Sequence, residues 1–435
     1  MKYNKMILLT FLSVLVCPVI SYAADKLVII SPHRKSIQEE FIPKFKEFYK
    51  AEYGTEIVVD WLDQGGTSDD IRFVRAKFKA NPKSSGIDIF WGGGATTFIE
   101  LSKDNILAPY KIPAELLKQL PQTAAGVNIY DPAFYWYGTA MSSFGIFYNK
   151  KILQFDKLKD PKTWADLRDA SYYNNIIGTD PRHSGSVTLM YFIIMQSLGW
   201  DEGYALLTEL SGNMRKFTHS SSDPIKSVVA GDAAASLAID FYAASKISDL
   251  GENNLGFALP EGQTVVDPDP VAILKGAPNE TSAKRFVEWV LSVDAQKLLI
   301  LPKGSEGGPR FASLGRMSTN PLAYEQTKAL TANSTNPFKL KSSLKLDIDK
   351  TAKMKSVFID LVGAYHIDNH HILRKAIKKA RGNEKLMKKL VAAPVTEKEV
   401  LELAKKWDDE VFRNKTINKW VKDGKTKYTQ ISKGK

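Results

Sequence analysis

The sequence has almost no cysteine and no long apolar segment. Cys17 is the single cysteine in 435 residues, which excludes a disulfide scaffold and a metal site built from cysteines. The apolar run at residues 6–16 is shorter than the roughly 20 residues that a membrane-spanning helix needs, and no later run is long enough. The chain is 44% apolar and 25% charged, which is typical of a globular protein and argues against wholesale disorder.

Several catalytic signatures are also missing. The chain has no Gly-x-Ser-x-Gly elbow of a serine hydrolase and no phosphate-binding loop, and Gly92-Gly93-Gly94 lacks the further glycine of a dinucleotide-binding turn. Ser, His and Asp do occur together at residues 180–186, so a periplasmic hydrolase is an alternative that turnover of phosphate esters would support. We expect a binding protein with no cofactor and no catalytic residues.

Positive charge is abundant but confined to one region. The net charge is +12 and the pI is about 9.3, yet residues 336–435 alone hold 25 basic and 12 acidic residues, a net charge of +13. The rest of the chain is close to neutral, the basic residues of 336–435 are interleaved with Glu and Asp, and the N-terminal residues predict export. We therefore predict no nucleic-acid partner. Residues 336–435 should instead form a basic helical C-terminal extension whose apolar stripes pack on the protein and whose charges face solvent.

The first 23 residues have the pattern of a secretory signal peptide. Lys2 and Lys5 precede the short apolar run, and Ser21 and Ala23 put small residues at the −3 and −1 positions. The sequence predicts cleavage after Ala23 and export to the periplasm, where the mature protein is expected to be a monomer. Lipidation at Cys17 is the alternative, but the residue before it is not small.

The mature chain alternates strand, loop and helix, which is typical of a parallel sheet covered by helices. Short β-branched and apolar runs predict strands at Lys26–Ile30, Glu56–Leu62, Ile87–Trp91, Phe144–Tyr148, Ile176–Thr179 and Ser236–Asp240. Periodic apolar residues predict helices after the first two strands and at Val187–Leu198, Ala283–Leu301, Met354–Lys379 and Glu397–Phe412.

These elements predict an α/β protein of two lobes, with the chain crossing between them more than once. The first lobe is expected to comprise residues 24–140 and 265–335, and the second lobe residues 141–264. The helical extension at 336–435 follows.

Small and hydroxylated residues follow the predicted strands in both lobes. Ligands of open α/β sheets bind at the carboxyl ends of strands, where glycine exposes backbone N–H groups and helix N-termini favour anions. The sequence therefore predicts one polar cleft that binds a small polar solute, with a phosphorylated or carboxylated anion as the first choice. The predicted ligand-binding residues are Ser31, His33, Gly66, Thr67, Ser68, Gly94 and Thr96 from the first lobe and Asp180, Ser184, Ser186, Asp240 and Tyr242 from the second.

The order and spacing of several stretches resemble the extracellular solute-binding proteins of ABC importers, in the cluster with ferric-iron-, thiamine- and sugar-phosphate-binding members. The resemblance covers roughly residues 26–330. It implies two lobes joined by crossing strands, which close like a hinge on a small-molecule ligand and deliver it to an ABC permease in the inner membrane. The stretches are Ser31-Pro32-His33, Gly86–Gly93, Phe147–Lys150, Ala272–Asn279, and Ala283–Phe286 running on to Asp294–Gln296.

The resemblance also implies alternatives for the ligand. Ferric-binding members of this cluster typically use a histidine after the first strand and two adjacent tyrosines in the second lobe. His33 fits the first position, but the second-lobe segment offers one tyrosine, Tyr242, after Asp240. We therefore expect no metal, and keep ferric iron held by His33, Asp240 and Tyr242 as an alternative. Thiamine or its phosphates, stacked on Trp61, Trp91 or Tyr242, is another.

Two further hypotheses concern partners and metals. A loaded binding protein can also engage a membrane receptor as a sensor, and the sequence does not separate sensing from delivery. His366, His370 and His371 are spaced to share a helix face. We interpret them as incidental residues of a solvated basic helix.

Overall fold

The computed structural model describes residues 24–328, 330–333, 335–340 and 344–434. The predicted signal peptide and Cys17 therefore lie outside the described residues. The described chain is a mixed α/β protein in which a large mixed sheet is covered by helices, as predicted.

All six predicted strands are confirmed, and shorter ones accompany them. The strands are β1 (Asp25–Ile30), β2 (Ile57–Leu62), β3 (Ile89–Trp91), β4 (Leu107–Ala108), β5 (Thr123–Ala124), β6 (Val127–Asn128), β7 (Tyr137–Asn149), β8 (Ile176–Thr179), β9 (Met214–Thr218), β10 (Ala235–Ile239), β11 (Leu255–Ala258) and β12 (Val266–Leu274).

The helices run along both faces of the sheet and continue into the C-terminal region. None in the described ranges has the length and apolarity needed to cross a bilayer. They are α1 (Lys35–Tyr53), α2 (Thr67–Ala80), α3 (Ala95–Lys103), α4 (Ala114–Leu117), α5 (Lys150–Phe155), α6 (Gly185–Leu198), α7 (Trp200–Asn213), α8 (Asp223–Ala230), α9 (Asp240–Leu250), α10 (Glu280–Leu291), α11 (Val293–Ile300), α12 (Pro321–Gln326), α13 (Ile348–Val362), α14 (His370–Ala380), α15 (Glu384–Val391), α16 (Glu397–Ala404) and α17 (Glu410–Ser432).

The first βαβ unit shows how the sequence pattern produces the fold. In α1, Ile37, Phe41 and Phe45 recur at helical spacing and are fully buried against the sheet. The helix ends at Gly54, whose left-handed conformation (φ +68°) lets its N–H bond to the Lys50 carbonyl. The chain then returns as β2, which pairs in parallel with β1.

Two long strands connect the lobes. The sheet order is β2-β1-β3-β12-β7-β10-β8-β9, so β1–β3 lie at one end and β8–β10 at the other. The first half of β7 pairs antiparallel with β12, and its second half pairs with β10 and β11. The pairing of β7 with β12 is irregular between Asp269 and Pro270. The predicted division of the chain stays a prediction; its boundary at 140 falls within β7, and the one at 265 directly precedes β12.

The C-terminal helices share one hydrophobic core with the second lobe. Buried residues of α13, α14 and α17, such as Phe358, Leu373 and Tyr428, belong to the same cluster as Phe192 and Leu206 of α6 and α7. The Phe192 and Phe358 rings lie 4.6 Å apart. The apolar stripes read from the sequence therefore pack on the second lobe.

Three predicted helices are wrong in extent. The helix predicted at 283–301 is broken at Ser292, whose hydroxyl caps α11 by accepting from the Ala295 N–H at 3.4 Å. The one predicted at 354–379 is interrupted by a π-helical turn at Gly363–Ile367. The one predicted at 397–412 divides because Asp409 caps α17. In each case the apolar periodicity continues across the break, so periodicity alone does not reveal it.

Candidate functional site

A cleft of about 210 Å³ lies between the two lobes. Its floor is formed by the crossing strands, with Ser142 and Phe144 from β7 and Asp267, Pro268 and Asp269 from β12. The first turns of α2, α3, α6 and α9 and the residues just before α1 form its walls. Helix N-termini carry partial positive charge, so their convergence favours a negatively charged occupant.

Three backbone donors in these first turns are free within the described residues. The N–H groups of Ser68, Thr96 and Ser186 have no acceptor in the part of the chain that the structure describes, because the first N–H groups of a helix have no intrahelical partner. All three residues line the cleft, and each also brings a hydroxyl group. The cleft thus offers N–H and O–H donors from both lobes.

Three consecutive glycines allow the loop after β3 to approach its neighbours. A Cβ atom on Gly93 would lie 2.6 Å from Thr67 Cγ2, and one on Gly94 would lie 2.8 Å from Asp267 Oδ2. Both glycines also have positive φ angles, +101° and +79°, which other residues rarely adopt. The loop therefore depends on glycine for its conformation and for its contact with both α2 and β12.

Asp269 organises the centre of the cleft. One carboxylate oxygen accepts a hydrogen bond from Gly93 N–H at 2.8 Å and a longer one from Gly94 N–H at 3.3 Å. The other oxygen accepts from His33 Nε2 at 2.8 Å and from Arg316 Nη1. Burial acts to raise the pKa of Asp269, but His33 and Arg316 outweigh it and hold that pKa well below the usual range. Asp269 is therefore an ionised carboxylate paired with Arg316.

His33 is held as a neutral imidazole beside this ion pair. Its Nε2 bonds to Asp269, and its Nδ1 lies 3.0 Å from Ser31 Oγ, so the tautomer with the proton on Nε2 satisfies both nitrogens. Burial lowers the pKa of His33 even though Asp269 acts to raise it. The ring also packs edge-on against Trp91 at 4.8 Å.

Arg34 and Arg316 bring guanidinium groups to the cleft, with unused donors. Arg34 Nε and Arg316 Nε are both buried without a hydrogen-bond partner among the described residues. Arg34 contacts the second lobe, since its guanidinium carbon lies 5.0 Å from the centroid of the Tyr242 ring. The guanidinium carbon of Arg316 lies 4.0 Å from the centroid of the Phe241 ring. Burial lowers the pKa of Arg34 to about 10, which leaves it charged at neutral pH.

Asp267 is a second carboxyl group in the cleft. Its Oδ2 accepts a long hydrogen bond, 3.4 Å, from Ala95 N–H at the start of α3. Burial raises the pKa of Asp267 to about 7, and the nearby charge of Asp269 adds to the effect. Unlike Asp269, it has no cationic partner among the described residues.

The structure brings most of the predicted site residues to one cleft. Those that line it are His33, Thr67, Ser68, Gly94, Thr96, Ser186 and Tyr242. They come from both lobes, which is the arrangement that the sequence suggested. Their role in binding stays a prediction.

Two predicted residues of the first lobe lie behind the cleft wall. Ser31 is fully buried and orients His33. Gly66 precedes α2, and its carbonyl accepts hydrogen bonds from the N–H groups of Asp69 and Asp70. Ser31 supports His33, which lines the cleft, and Gly66 directly precedes Thr67, which also lines it, but neither Ser31 nor Gly66 is part of the lining.

Three predicted residues of the second lobe have structural partners instead. Asp180 pairs with Arg182 at 2.7 Å, and Ser184 caps α6. The sequence predicted Asp240 at the end of a strand, but Asp240 is the first residue of α9. It is buried there and accepts a hydrogen bond from Asn333 Nδ2 at 3.1 Å. These three side chains have partners within the protein, although one buried Asp240 oxygen has none among the described residues, and they do not line the cleft.

The alternative ligand sets fit the geometry less well. His33 uses both ring nitrogens within the protein and Asp240 lies outside the cleft, so only Tyr242 of the predicted ferric set is free to bind. For a thiamine-type ligand, Trp61 and Trp91 do not line the cleft; Trp91 is buried and donates to Thr139 at 2.8 Å.

Two of the three C-terminal histidines differ from their interpretation as solvated residues, whereas His371 is exposed. His366 is fully buried beside Thr208, with its Nε2 3.0 Å from Thr208 Oγ1, and His370 Nε2 lies 3.0 Å from the Ser211 carbonyl oxygen. Burial lowers the pKa of His366 to about 3 and that of His370 to about 4. Over the described ranges, no group of three or more His, Cys, Asp or Glu is arranged to hold a metal.

The sequence did not single out several charged residues of the cleft. Arg34 directly follows His33, so its position in the loop after the first strand could have indicated it. Asp267 and Asp269 are acidic residues in an otherwise apolar strand, which is a usable signal. Arg316 and Lys355 are contributed by segments far along the chain, and no local pattern marks them.

Comparison with known proteins gives one family match. The model of a family described as bacterial extracellular solute-binding protein matches residues 84–304, half of the chain. The phosphoglycerate transport regulatory protein PgtC of Salmonella typhimurium is 28% identical over 218 residues, which is 50% of this chain and 51% of that protein. The chain thus matches about half the length of this relative.

Solved structures show the same fold. The periplasmic binding protein AfuA from Actinobacillus pleuropneumoniae, with fructose-6-phosphate bound, has a TM-score of 0.59 and 20% identity, covering 78% of this chain and 98% of that one. The apo ferric ion-binding protein A of Pasteurella haemolytica has a TM-score of 0.59 and 15% identity, covering 78% of this chain and 97% of that one. At these identities the likeness concerns the two-lobed fold alone.

Proposed function

Because the chain belongs to the bacterial extracellular solute-binding proteins, we propose that it captures a small anionic solute, phosphorylated or carboxylated, in the cleft and delivers it to an ABC permease. Its place of action is then the periplasm, reached through the signal peptide predicted at residues 1–23. Binding needs no catalysis: contacts from both lobes stabilise the closed arrangement over the open one.

The proposal rests on the guanidinium group of Arg34, which is unpaired among the described residues. Its guanidinium lies in the cleft, contacts Tyr242 across it, and has no carboxylate partner among the described residues, while its Nε is buried without an acceptor. Leaving a buried donor unsatisfied costs about 1–3 kcal/mol, and more for a charged group. An anionic oxygen placed there removes that cost, and the free N–H groups of Ser68 and Thr96 in the same cleft are further donors for the anion.

The relatives are consistent with this class of ligand. The Salmonella relative is named for phosphoglycerate transport regulation, and one structural neighbour binds fructose-6-phosphate. These names suggest 3-phosphoglycerate and fructose 6-phosphate as probes, and glycerol 3-phosphate, citrate and ferric citrate extend the set of anions. Each probe is tested by thermal shift and calorimetry. Thermal stability rises with the logarithm of ligand excess over Kd, so a true ligand shows clearly.

The variant Arg34→Gln tests the site. We expect affinity for the best anionic probe to fall about 10- to 100-fold, because a hydrogen bond to a charged group contributes about 1.5–3 kcal/mol. Arg72→Gln is the matched control, since Arg72 lies on α2 with a side chain that is 74% exposed. Equal affinities for both variants and the wild type would show that the cleft is not the binding site. No binding of any anion by the wild type would overturn the proposed ligand class.

Sensing is the second candidate, and the regulatory role in the Salmonella relative's name favours it. Delivery predicts that deletion of the gene abolishes uptake of the radiolabelled ligand. Sensing predicts that uptake continues and that ligand-dependent gene expression is lost. The two functions share the same cleft, so measuring both in one deletion strain separates them.

A further inference from the structure

The cleft has a third wall, which the C-terminal extension supplies. Thr351, Ala352 and Lys355 of α13 line the same cavity as the residues of both lobes. The family model ends at residue 304, so α13 lies outside the matched region. The solved relatives cover only 78% of this chain although they match over nearly their whole length.

The position of α13 is defined by packing and hydrogen bonds to the second lobe. Gln196 of α6 donates to Thr351 Oγ1 at 2.8 Å and accepts from the backbone N–H of Asp347 at 2.7 Å. Phe358 packs on Phe192. On the other side of α13, Lys350 pairs with Glu397 of α16 at 2.6 Å. These contacts fix α13 in the wall of the cleft.

The same helix also reaches the first lobe. Asp349 pairs with Lys103 at the end of α3, with 3.2 Å between the nitrogen and the oxygen. Both side chains are exposed, so this pair contributes little energy. It does show that α13 contacts both lobes, at α6 of the second and at α3 of the first.

Some charged side chains of the cleft have an oppositely charged partner, and others have none among the described residues. Arg316 is neutralised by Asp269, and Glu100 pairs with Arg75 at 3.5 Å. Arg34 and Lys355 line the cleft and have no carboxylate partner among the described residues. They come from different parts of the chain, one before α1 and the other on α13.

We propose that Lys355 is a specificity-determining residue that binds a second anionic group of the solute while Arg34 binds the first. The ligand is then a small molecule with two anionic groups, such as a phosphate and a carboxylate, and α13 selects it over solutes with one. The inference rests on the proposed function, because it concerns the same cleft.

The test compares two probes on three variants. 3-Phosphoglycerate carries a phosphate and a carboxylate, whereas glycerol 3-phosphate has a similar carbon chain and lacks the carboxylate. We expect Lys355→Gln to reduce affinity for 3-phosphoglycerate about tenfold and to change that for glycerol 3-phosphate by less than twofold. Lys355→Glu should reduce the first affinity further. Lys353→Gln is the control, because Lys353 is exposed on the same helix and lies outside the cleft lining.

The outcomes separate this inference from the proposed function. If the wild type binds both probes equally, or if Lys355→Gln weakens both or neither, Lys355 does not recognise a second anion and the inference is overturned. The proposed function survives that result when Arg34→Gln still weakens binding. If the wild type binds neither these probes nor the other anions, the proposed function fails first, and the inference fails with it. Circular dichroism and the thermal midpoint of each variant establish that it is folded.

Discussion

Replacing Asp269 with Asn removes one negative charge from the centre of the cleft while keeping the shape of the side chain. Asp269 accepts from His33 Nε2, Arg316 Nη1 and the N–H groups of Gly93 and Gly94, and Arg316 is only 4% exposed. The variant therefore leaves the Arg316 cation buried without a counter-ion. Removing one partner of a buried ion pair costs about 3–5 kcal/mol, and we expect Asp269→Asn to lower the free energy of unfolding by about that amount.

A double-mutant cycle distinguishes this pairing from ordinary loss of packing. Arg316→Gln alone should also cost about 3 kcal/mol, since it leaves Asp269 with only neutral donors. The double variant has no charge to leave unpaired, so its cost should fall below the sum of the single costs by 2 kcal/mol or more. Urea unfolding followed by circular dichroism and by tryptophan fluorescence measures all four proteins and also tests whether unfolding is two-state.

The result that would refute the reasoning is additivity. If the two single costs sum to that of the double variant, Asp269 and Arg316 do not act as a pair, and the charge assignment of the cleft is wrong. An Asp269→Asn variant as stable as the wild type would have the same consequence. Ligand-free protein must be used throughout, because a bound anion would stabilise Arg316 in the variant.

Two further predictions concern the same cleft. Gly93→Ala should lower the free energy of unfolding by about 2 kcal/mol, because the added Cβ meets Thr67 and a positive φ is strained for alanine. Gly185→Ala is the control, because a Cβ on Gly185 meets nothing within 4 Å. Equal thermal midpoints for the two variants would contradict the tight approach of the loop to Thr67. Because burial raises the pKa of Asp267 to about 7, its carboxyl is neutral below that pH and ionised above it, where it repels an anionic solute. The ratio of wild-type to Asp267→Asn affinity for one anionic probe should therefore fall up to about tenfold as the pH rises from 6 to 8. Titration of the probe itself cancels in this ratio, and a constant ratio would show that Asp267 does not titrate beside the ligand.

Much of the fold is predictable from local pattern. The strands Lys26–Ile30 and Ile176–Thr179 and the helix after the first strand each follow from a short apolar run or from apolar residues at helical spacing, because these patterns are local properties of the chain. The breaks at Ser292 and at Gly363–Ile367 are not predictable in this way, since the apolar spacing continues through them. Capping and tertiary contacts decide where such helices end.

The candidate site is likewise predictable from local sequence only in part. Thr67, Ser68, Gly94, Thr96 and Ser186 follow strands in the sequence, and strand ends at one edge of a sheet converge, so their meeting in the cleft was expected. Residue type did not show which polar side chains already have hydrogen-bond or ion-pair partners within the fold. Asp180 and Ser184 sit in equally suggestive loops, but Arg182 and the start of α6 use them.

The sequence by itself determined the α/β class, the family resemblance and the gathering of small polar residues at strand ends. It also located the positive charge in the last hundred residues. Only the tertiary structure decided that Asp269 joins His33 and Arg316, and that α13 carries Lys355 to the cleft. The physical reason is distance along the chain: His33 and Asp269 are 236 residues apart, and a contact of that kind exists only once the crossing strands and the C-terminal helices have packed.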